Sequence, residues 1–147
     1  MIDPDVRRAS QRDAEALGEL ETAARAALLG ARGGARWLEE HAEIGSGWTQ
    51  AVERRAVFVG EIDGVPIGYL VVDVDGAVAH VDQVFVDPEA RQLGFGDALL
   101  SAATELARRS SATLLEGHAL PGDRDTKNLY ERAGITARLI TVSKRLD

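Results

Sequence analysis

The residues best suited to chemistry lie in the range 84–100, where an apolar run passes through Pro88 and two glycines into an apolar helical pattern. Gly94 and Gly96 allow an anion to approach the backbone closely, and the helix that follows adds the partial positive charge of its N-terminus. Arg91 lies three residues before the first glycine and adds a full charge. This pattern is typical of a loop that binds phosphate or pyrophosphate. The alternative is a tight strand-to-helix turn that binds no ligand.

Two other phosphate-binding motifs fit this segment poorly. A dinucleotide fingerprint requires a small residue where the bulky Leu99 stands. A nucleotide-binding loop of the Walker type requires Gly-Lys followed by Ser or Thr, a tripeptide that the sequence does not contain. Neither of these two motifs therefore describes the segment, and both the phosphate site and the turn without a ligand stay open.

Composition limits the classes of protein to which the chain can belong. Its 147 residues, 45% hydrophobic and 28% charged, predict one globular domain spanning 1–147. The chain has no cysteine, which excludes a disulfide scaffold, a thiolate nucleophile and a cysteine zinc site. Its three histidines are scattered without metal-ligand spacing, so no metal site is expected. A net charge of −7 disfavours binding to nucleic acid.

The cellular setting is also an expectation from sequence. The first residues lack the basic and apolar regions of a signal peptide, and no apolar stretch is long enough for a membrane span. We therefore expect a cytoplasmic protein with no membrane partner. The 15 arginines among 17 basic residues suggest a GC-rich and hence bacterial genome.

Periodicity predicts ten elements around these residues. The turn signals Asp63-Gly64 and Asp75-Gly76 separate three strands that should form an antiparallel meander. Helical spacing of apolar residues marks a helix before and another after Gly30, and two more in the second half. The predicted strands are 5–9, 56–62, 67–74, 77–86, 112–119 and 137–143, and the predicted helices are 11–30, 35–45, 94–109 and 123–133. This order predicts an α+β, mixed α/β layer fold rather than a regular doubly wound one.

The segment 84–100 resembles the acetyl-CoA-binding motif of the GNAT superfamily of N-acetyltransferases. The family pattern is Val-x-Pro-x-x-Arg-x-x-Gly-x-Gly-x-x-Leu-Leu, and the residues that match it are Val86, Pro88, Arg91, Gly94, Gly96, Leu99 and Leu100. A second segment is similar to the family's Asn-x-x-Ala-x-x-Leu-Tyr-x-x-x-Gly-Phe helix. There the matching residues are Leu129, Tyr130, Gly134 and the apolar Ile135, whereas Asp123 stands for the usual Asn and Thr126 for the usual Ala.

This resemblance implies a fold and a co-substrate. The GNAT fold has a central, mostly antiparallel twisted sheet flanked by about four helices, with two neighbouring parallel strands splayed apart. Here these strands would be 77–86 and 112–119, and the pantetheine arm of acetyl-CoA would lie in the gap between them. The residues that the resemblance implies for coenzyme A are Val84, Phe85 and Val86 on the strand, Arg91, and the amides around Gln92, Gly94, Phe95, Gly96 and Asp97.

The resemblance also implies a reaction, the direct attack of a neutral amine on the acetyl thioester. Tyr130 is the expected general acid for the leaving sulfur, and the alternative is a core tyrosine. Asp82 is the expected base or water-orienting group, because relatives often carry an acid there and Asp is rare in strands. His80 lies two residues earlier on the same face of the strand and is an alternative base. His118 and His41 are further candidates for the cleft, whereas Trp37 and Trp48 are expected mainly in the core.

The implied function is an N-acetyltransferase for a primary amine of a small molecule, peptide or protein. The alternative is an acyl-CoA-binding regulatory module of the same fold with little or no turnover. Arg124 and Lys127 could meet the adenosine 3′-phosphate, although a solvated helix face is the simpler interpretation. A homodimer is an expectation from the resemblance alone.

Overall fold

The computed structural model describes residues 4–146, which form one five-stranded sheet covered by helices on both faces. The strand order is β1-β2-β3-β4-β5; the first four strands are antiparallel to their neighbours, and β5 runs parallel to β4. The strands are β1 (Asp5–Arg8), β2 (Ala56–Ile62), β3 (Val65–Asp75), β4 (Val78–Val86) and β5 (Leu114–Glu116). The helices are α1 (Ala14–Leu28), α2 (Gly34–Glu40), α3 (Trp48–Arg54), α4 (Phe95–Arg109) and α5 (Arg124–Arg132).

The sheet buries both of its faces. Along β2, Val57 and Val59 pack with α1 and α3 on one face, while Phe58 between them packs with α4 on the other. All three side chains are buried, which explains why β2 reads as a continuous apolar run rather than an alternating one. The result is a three-layer arrangement in which α4 lies opposite α1 and α3.

The predicted meander is confirmed, and its first turn shows why. Asp63 and Gly64 both have positive φ, 51° and 81°, which is the backbone that a two-residue hairpin with the right strand twist requires. The structure also confirms the mixed α+β class and the order of the first nine predicted elements. Residues 4–146 contain five α-helices rather than four, because the short helix α3 follows Gly45–Gly47, where glycines suggested only a break.

Two predicted strands differ from the structure: one is shorter than predicted and the other does not form. The predicted strand 112–119 is reduced to Leu114–Glu116, and the predicted last strand 137–143 does not form. Its residues have strand-like side chains, yet no neighbouring backbone within residues 4–146 pairs with them. A strand needs both residues with strand propensity and a neighbouring strand to pair with. The sequence pattern reports only the propensity.

No helix within residues 4–146 combines the length and the apolar character needed to cross a membrane.

Candidate active site

Strands β4 and β5 pair over three residues and then diverge. The parallel ladder joins Val78 to Leu114, Ala79 to Leu115 and His80 to Glu116. Beyond His80, the edge of β4 that faces β5 has no strand partner within the described residues. The divergence leaves a cleft of about 1160 Å³ between the two strands, lined from the loop before α4 to α5. The two splayed strands that the sequence predicted are therefore present.

The loop before α4 has the geometry of an anion site. Gln92 and Gly94 both have left-handed backbone, with φ of 66° and 87°, and this conformation turns successive N–H groups toward one side of the loop. The first N–H groups of α4, those of Phe95, Gly96 and Asp97, have no partner within the helix and border the cleft. These are the amides that the sequence analysis assigned to coenzyme A.

Two glycine contacts hold this helix start in place. The Phe95 ring is buried against Gly60 of β2, where an added Cβ would lie 2.7 Å from Cδ1 of the ring. An added Cβ on Gly96 would lie 3.0 Å from Leu129 of α5. Phe95 therefore contributes its backbone to the cleft and its side chain to the core. The small residue at 96 lets α5 approach the helix terminus.

Arg91 reaches across the mouth of the cleft. Its Nε donates to the carbonyl oxygen of Val86 at 3.1 Å, and its Nη1 donates to Oδ2 of Asp125 on α5 at 2.6 Å. The guanidinium also lies 5.7 Å from the centre of the Phe85 ring. Arg91, which was predicted to bind phosphate, thus lies at the cleft but is paired with the Asp125 carboxylate. An incoming anion would have to compete with that carboxylate.

Asp97 would repel a pyrophosphate if its charge were unopposed. Arg132 of α5 donates to it, with Nε 3.2 Å from Oδ1, and both side chains are more than half exposed. This ion pair opposes the negative charge at the start of α4. The two pairs, Arg91–Asp125 and Asp97–Arg132, connect the loop region with α5 across the cleft.

Tyr130 lies at the inner part of the cleft, where α5 meets the end of β5. Its side chain is buried, and an added Cβ on Gly117 would come within 2.4 Å of its hydroxyl oxygen. Burial, followed by the nearby charge of Asp123, raises the pKa of Tyr130 above its ordinary value. The hydroxyl therefore keeps its proton at neutral pH, as a general acid must. Asp123 also begins the helix, because its Oδ1 accepts from the N–H of Thr126 at 3.2 Å.

Asp82 lies on β4 at a β-bulge in the β3–β4 ladder and lines the cleft. Arg55 donates to its Oδ2 at 3.0 Å and also forms a bidentate pair with Asp73. Asp82 thus shares one guanidinium with a second carboxylate. The geometry brings Asp82 to the same cleft as Tyr130.

Three histidines and a tryptophan meet on the β5 side of the cleft. Trp37 stacks on His41 with ring centres 3.4 Å apart and contacts His118 at 4.3 Å. Nδ1 of His118 lies 3.3 Å from Nε2 of His80. His41, His118 and Trp37 line the cleft, whereas His80 lies behind His118. Within residues 4–146, no group of three or more metal-ligating side chains could hold a metal ion.

The wall opposite β5 contains residues that sequence reasoning missed. Glu21 is 1% exposed and accepts from the N–H groups of Ile44 and Gly45, Nε1 of Trp48 and Nε2 of Gln83. Gln83 in turn accepts from the Tyr69 hydroxyl at 2.6 Å, and both line the cleft. The sequence contained one signal that could have revealed this buried carboxylate, namely a glutamate among the regularly spaced apolar residues of α1. Trp48 lies in the core as expected, whereas Trp37 lies in the cleft.

Arg124 and Lys127 lie on α5, and Arg124 also lines the cleft. Both are exposed and line a separate polar pocket of about 590 Å³ together with Arg32. Their role toward a nucleotide phosphate stays a prediction.

Comparison with known proteins agrees with the fold, the splayed strands and the glycine loop described above. Residues 15–135 match the model of the acetyltransferase (GNAT) family, and the chain belongs to that family. An uncharacterised N-acetyltransferase of Methanocaldococcus jannaschii is 28% identical over 94 residues, which are 59% of this chain and 42% of that protein. The match thus spans less than half the length of this relative.

Solved structures share the fold at low sequence identity. A ribosomal-protein-alanine N-acetyltransferase from Brucella melitensis biovar Abortus 2308 is 19% identical, with a TM-score of 0.70 and 99% of each chain covered. The aminoglycoside N-acetyltransferase AAC(6')-Iy, solved with a CoA-containing bisubstrate analogue, is 19% identical with a TM-score of 0.67. That alignment covers 99% of this chain and 100% of the other. These likenesses concern the fold.

Proposed function

We propose that this chain is an acetyl-CoA-dependent N-acetyltransferase that transfers the acetyl group to a primary amine by direct attack. One observation carries the proposal: a single cleft runs from the free amides at the start of α4, between the diverging strands, to the hydroxyl of Tyr130. A pyrophosphate at the loop and a thioester at the tyrosine fit the two ends of such a cleft. The residues proposed for coenzyme A are those listed from sequence, Val84, Phe85, Val86, Arg91, Gln92, Gly94, Phe95, Gly96 and Asp97.

In the proposed reaction, the amine nitrogen attacks the thioester carbonyl and the carbon–sulfur bond breaks. Tyr130 donates its hydroxyl proton to the leaving sulfur, which yields the free thiol of coenzyme A. A base removes the proton that the attacking nitrogen loses. No nucleophile of the protein is needed, which is consistent with a chain that has no cysteine.

Two side chains are candidates for the base. Asp82 is the residue proposed from sequence, and its pairing with Arg55 also suits it to orient a water molecule or an incoming amine. His118 is the second candidate, because it lines the cleft and its Nδ1 is within hydrogen-bond reach of His80. Burial, and then the neighbouring His80, lowers the pKa of His118, so the imidazole is neutral and able to accept a proton at pH 7.

The acceptor class is a primary amine of a small molecule, peptide or protein. Asp82 and Asp123 line the inner part of the cleft and offer negative charge to a cationic amine. The aromatic group formed by Trp37 and His41 offers a flat apolar surface beside them. Structures of the same fold include one enzyme named for a ribosomal protein and one for an aminoglycoside. Both are named N-acetyltransferases, which supports the reaction type but does not single out one acceptor.

The experiment is a thiol-release assay with acetyl-CoA and a panel of amines, combined with calorimetric titration of acetyl-CoA. Replacement of Tyr130 by Phe removes only the hydroxyl, so we expect kcat to fall by about 10²–10⁴-fold while acetyl-CoA affinity is retained. Tyr69→Phe is the matched control, since that hydroxyl is bound to Gln83. If Tyr130→Phe keeps full turnover, Tyr130 is not the acid.

A second candidate function is an acyl-CoA-binding module without turnover. It is favoured by the position of Asp82, the base proposed from sequence, whose carboxylate is engaged by Arg55 at 3.0 Å instead of standing free in the cleft. Binding of acetyl-CoA without transfer to any amine, in the native chain and in Tyr130→Phe alike, would support this module. Absence of binding at millimolar acetyl-CoA would overturn both candidates.

A further inference from the structure

Glu21 is a buried carboxylate with no capacity left for a ligand. Its Oε1 accepts from the N–H of Gly45 and Nε1 of Trp48, and its Oε2 accepts from the N–H of Ile44 and Nε2 of Gln83. Four such bonds fill the lone-pair sites of one carboxylate. Glu21 can therefore act on the cleft only through one of its donors, and Gln83 is the donor that lines the cleft.

These bonds fix which way round the amide of Gln83 lies. The other three partners of Glu21 are N–H groups, as suits a carboxylate that only accepts, so the NH2 end of the amide faces Glu21 at 3.0 Å. The carbonyl end accepts from the Tyr69 hydroxyl at 2.6 Å. Burial, and then the charge of Glu21, raises the pKa of Tyr69 above its ordinary value, so this hydroxyl keeps the proton that it donates.

Half of the hydrogen-bonding capacity of the Gln83 amide stays open. A primary amide has two N–H donors and a carbonyl oxygen with two lone pairs. Glu21 takes one donor and Tyr69 takes one lone pair. Within the described residues, no protein group pairs with the second N–H or the second lone pair, and the side chain is partly exposed at the cleft. Gln83 therefore presents one donor and one acceptor to the molecule that occupies this part of the cleft.

The other groups on this side of the cleft are apolar or already engaged. Arg25 follows Glu21 by one helical turn on the same face of α1, and its Nη1 and Nη2 donate to main-chain carbonyls at the end of α2, at 2.8 and 3.2 Å. Asp82, the neighbour of Gln83 on β4, is paired with Arg55. The apolar residues that α1 contributes to the cleft are Ala24, Ala27 and Leu28. The open donor and acceptor of Gln83 thus decide which neutral polar group fits beside them.

The position of this wall suits the acceptor rather than the co-substrate. Tyr69 packs in the core cluster formed with α1 and α3, whereas Tyr130 packs in the cluster on the α4 face of the sheet. Both line one cleft, which therefore passes from one face to the other between the diverging strands. Coenzyme A, as proposed above, occupies the part with the loop before α4 and Tyr130. The part lined by Gln83 is then left for the amine.

We propose that Gln83, oriented by Glu21, selects acceptor amines whose carbon skeleton carries a neutral amide group close to the amine. The carbonyl and N–H of such a group match the open N–H and the open lone pair of Gln83. An alkyl group of the same size displaces water from Gln83 and satisfies neither. Gln83 contacts the acceptor, and Glu21 is a positioning residue. The inference rests on the proposed acetyl transfer, because it names the acceptor class for the same cleft.

Glycinamide and isobutylamine are a matched pair of test acceptors, because their heavy atoms have the same arrangement and only the first carries an amide. Thiol release gives kcat/KM for each, and we expect the native chain to prefer glycinamide. Gln83→Met should lower this preference ratio by about tenfold, which corresponds to the loss of a hydrogen bond. Gln50→Met, at an exposed position on α3, is the control and should keep the ratio. Comparing one ratio between variants cancels the different basicity of the two amines.

Glu21→Gln tests the positioning role. The substitution keeps the size of the side chain but adds an NH2 group that can donate to the carbonyl oxygen of Gln83, so the orientation of Gln83 is no longer fixed. We expect the preference ratio to fall as in Gln83→Met, with the KM for acetyl-CoA unchanged. A merely structural role would lower the rate with both amines equally and leave the ratio as it is. A Glu21→Gln variant with the native ratio would therefore overturn the positioning role.

The remaining outcomes separate this inference from the proposed function. An unchanged ratio in Gln83→Met would overturn the selection by Gln83 while acetyl transfer stands, and a raised KM for acetyl-CoA in its place would assign Gln83 to the co-substrate. If no amine is acetylated, the proposed function fails on its own. Ligand-observed NMR titration of the two amines, with coenzyme A present, needs no transfer. Tighter binding of glycinamide to the native chain, lost in Gln83→Met, would still support the selection, and equal binding of both amines would overturn it.

Discussion

At the scale of single residues, Arg91 is the charged side chain that we propose for binding acetyl-CoA. Its guanidinium donates to Asp125, so this carboxylate and an incoming phosphate would compete for the same positive charge. Asp125 is 69% exposed, so its pair with Arg91 is a surface interaction of about 0.2–1 kcal/mol. The carboxylate therefore weakens the binding of an anion only modestly.

Asp125→Asn should release Arg91 and tighten acetyl-CoA binding by about two- to fivefold, which corresponds to the energy of such a pair. Calorimetry at low salt measures the change, and Glu131→Gln on the same helix is the control. Arg91→Ala should weaken binding in the same assay. An Asp125→Asn variant that binds more weakly than the native chain would show that the pair positions Arg91 instead of competing with the ligand.

The two candidate bases can be separated by pH. A neutral His118 is required if it takes the proton, so kcat/KM should rise with pH through its pKa, which lies below the ordinary value of about 6.5. His80, His41 and Asp82 face this imidazole and contribute to its pKa. Above that pKa, kcat/KM should stay level until the pH at which the amine substrate itself loses a proton.

His118→Gln should lower kcat and abolish the acid limb of the profile, whereas Asp82→Asn should preserve that limb. His80→Gln should shift the limb, because it replaces the partner of Nδ1. If the limb survives in His118→Gln and disappears in Asp82→Asn, Asp82 is the base and His118 belongs to the acceptor wall.

At the scale of elements, Glu21 is the residue that joins α1 to the segment before α3 and to β4. Four donors from these elements converge on one carboxylate that is 1% exposed. Removal of the acceptor leaves buried donors without partners, and each such donor costs about 1–3 kcal/mol. The side of the cleft that carries Gln83 and Tyr69 depends on this arrangement.

Glu21→Ala should lower the free energy of unfolding by about 3 kcal/mol or more, as measured by urea denaturation monitored through Trp48 fluorescence. Glu19→Ala is the control, since Glu19 is exposed on the same helix and should change stability by less than about 0.5 kcal/mol. A similar, small effect of both substitutions would mean that water replaces the lost carboxylate.

At the scale of the whole molecule, the cleft is formed by parts that lie far apart in sequence. A ligand that binds the native chain and not the unfolded one stabilises the fold by about 2.7 kcal/mol at 100 times its dissociation constant. For a chain of this length, such a gain corresponds to a rise in Tm of about 5–10 °C. Acetyl-CoA should produce this rise in a thermal scan, and Arg91→Ala should show a smaller one at the same ligand concentration. Equal shifts in both proteins would place the bound nucleotide elsewhere.

Local patterns in the sequence were enough to predict several features of the fold and of the cleft. Asp63-Gly64 specifies a hairpin because both residues accept positive φ, and the apolar period after Gly94 specifies α4. Arg91, Gly94 and Gly96 lie in one short segment, so their spacing alone predicts an anion loop. Tyr130 was predicted from its motif, and the structure brings it to the same cleft; its catalytic role stays a prediction.

Pairs of residues that lie far apart in the sequence could be identified only from the folded structure. Asp125 could not be assigned to Arg91, nor His118 to His80, because 34 and 38 residues separate the partners and no local pattern encodes the pairing. The segment 137–143 has the propensity of a strand, yet no other strand within residues 4–146 pairs with it. Backbone hydrogen bonds between strands require a second strand at the right place, and whether one is there is decided only when the chain folds.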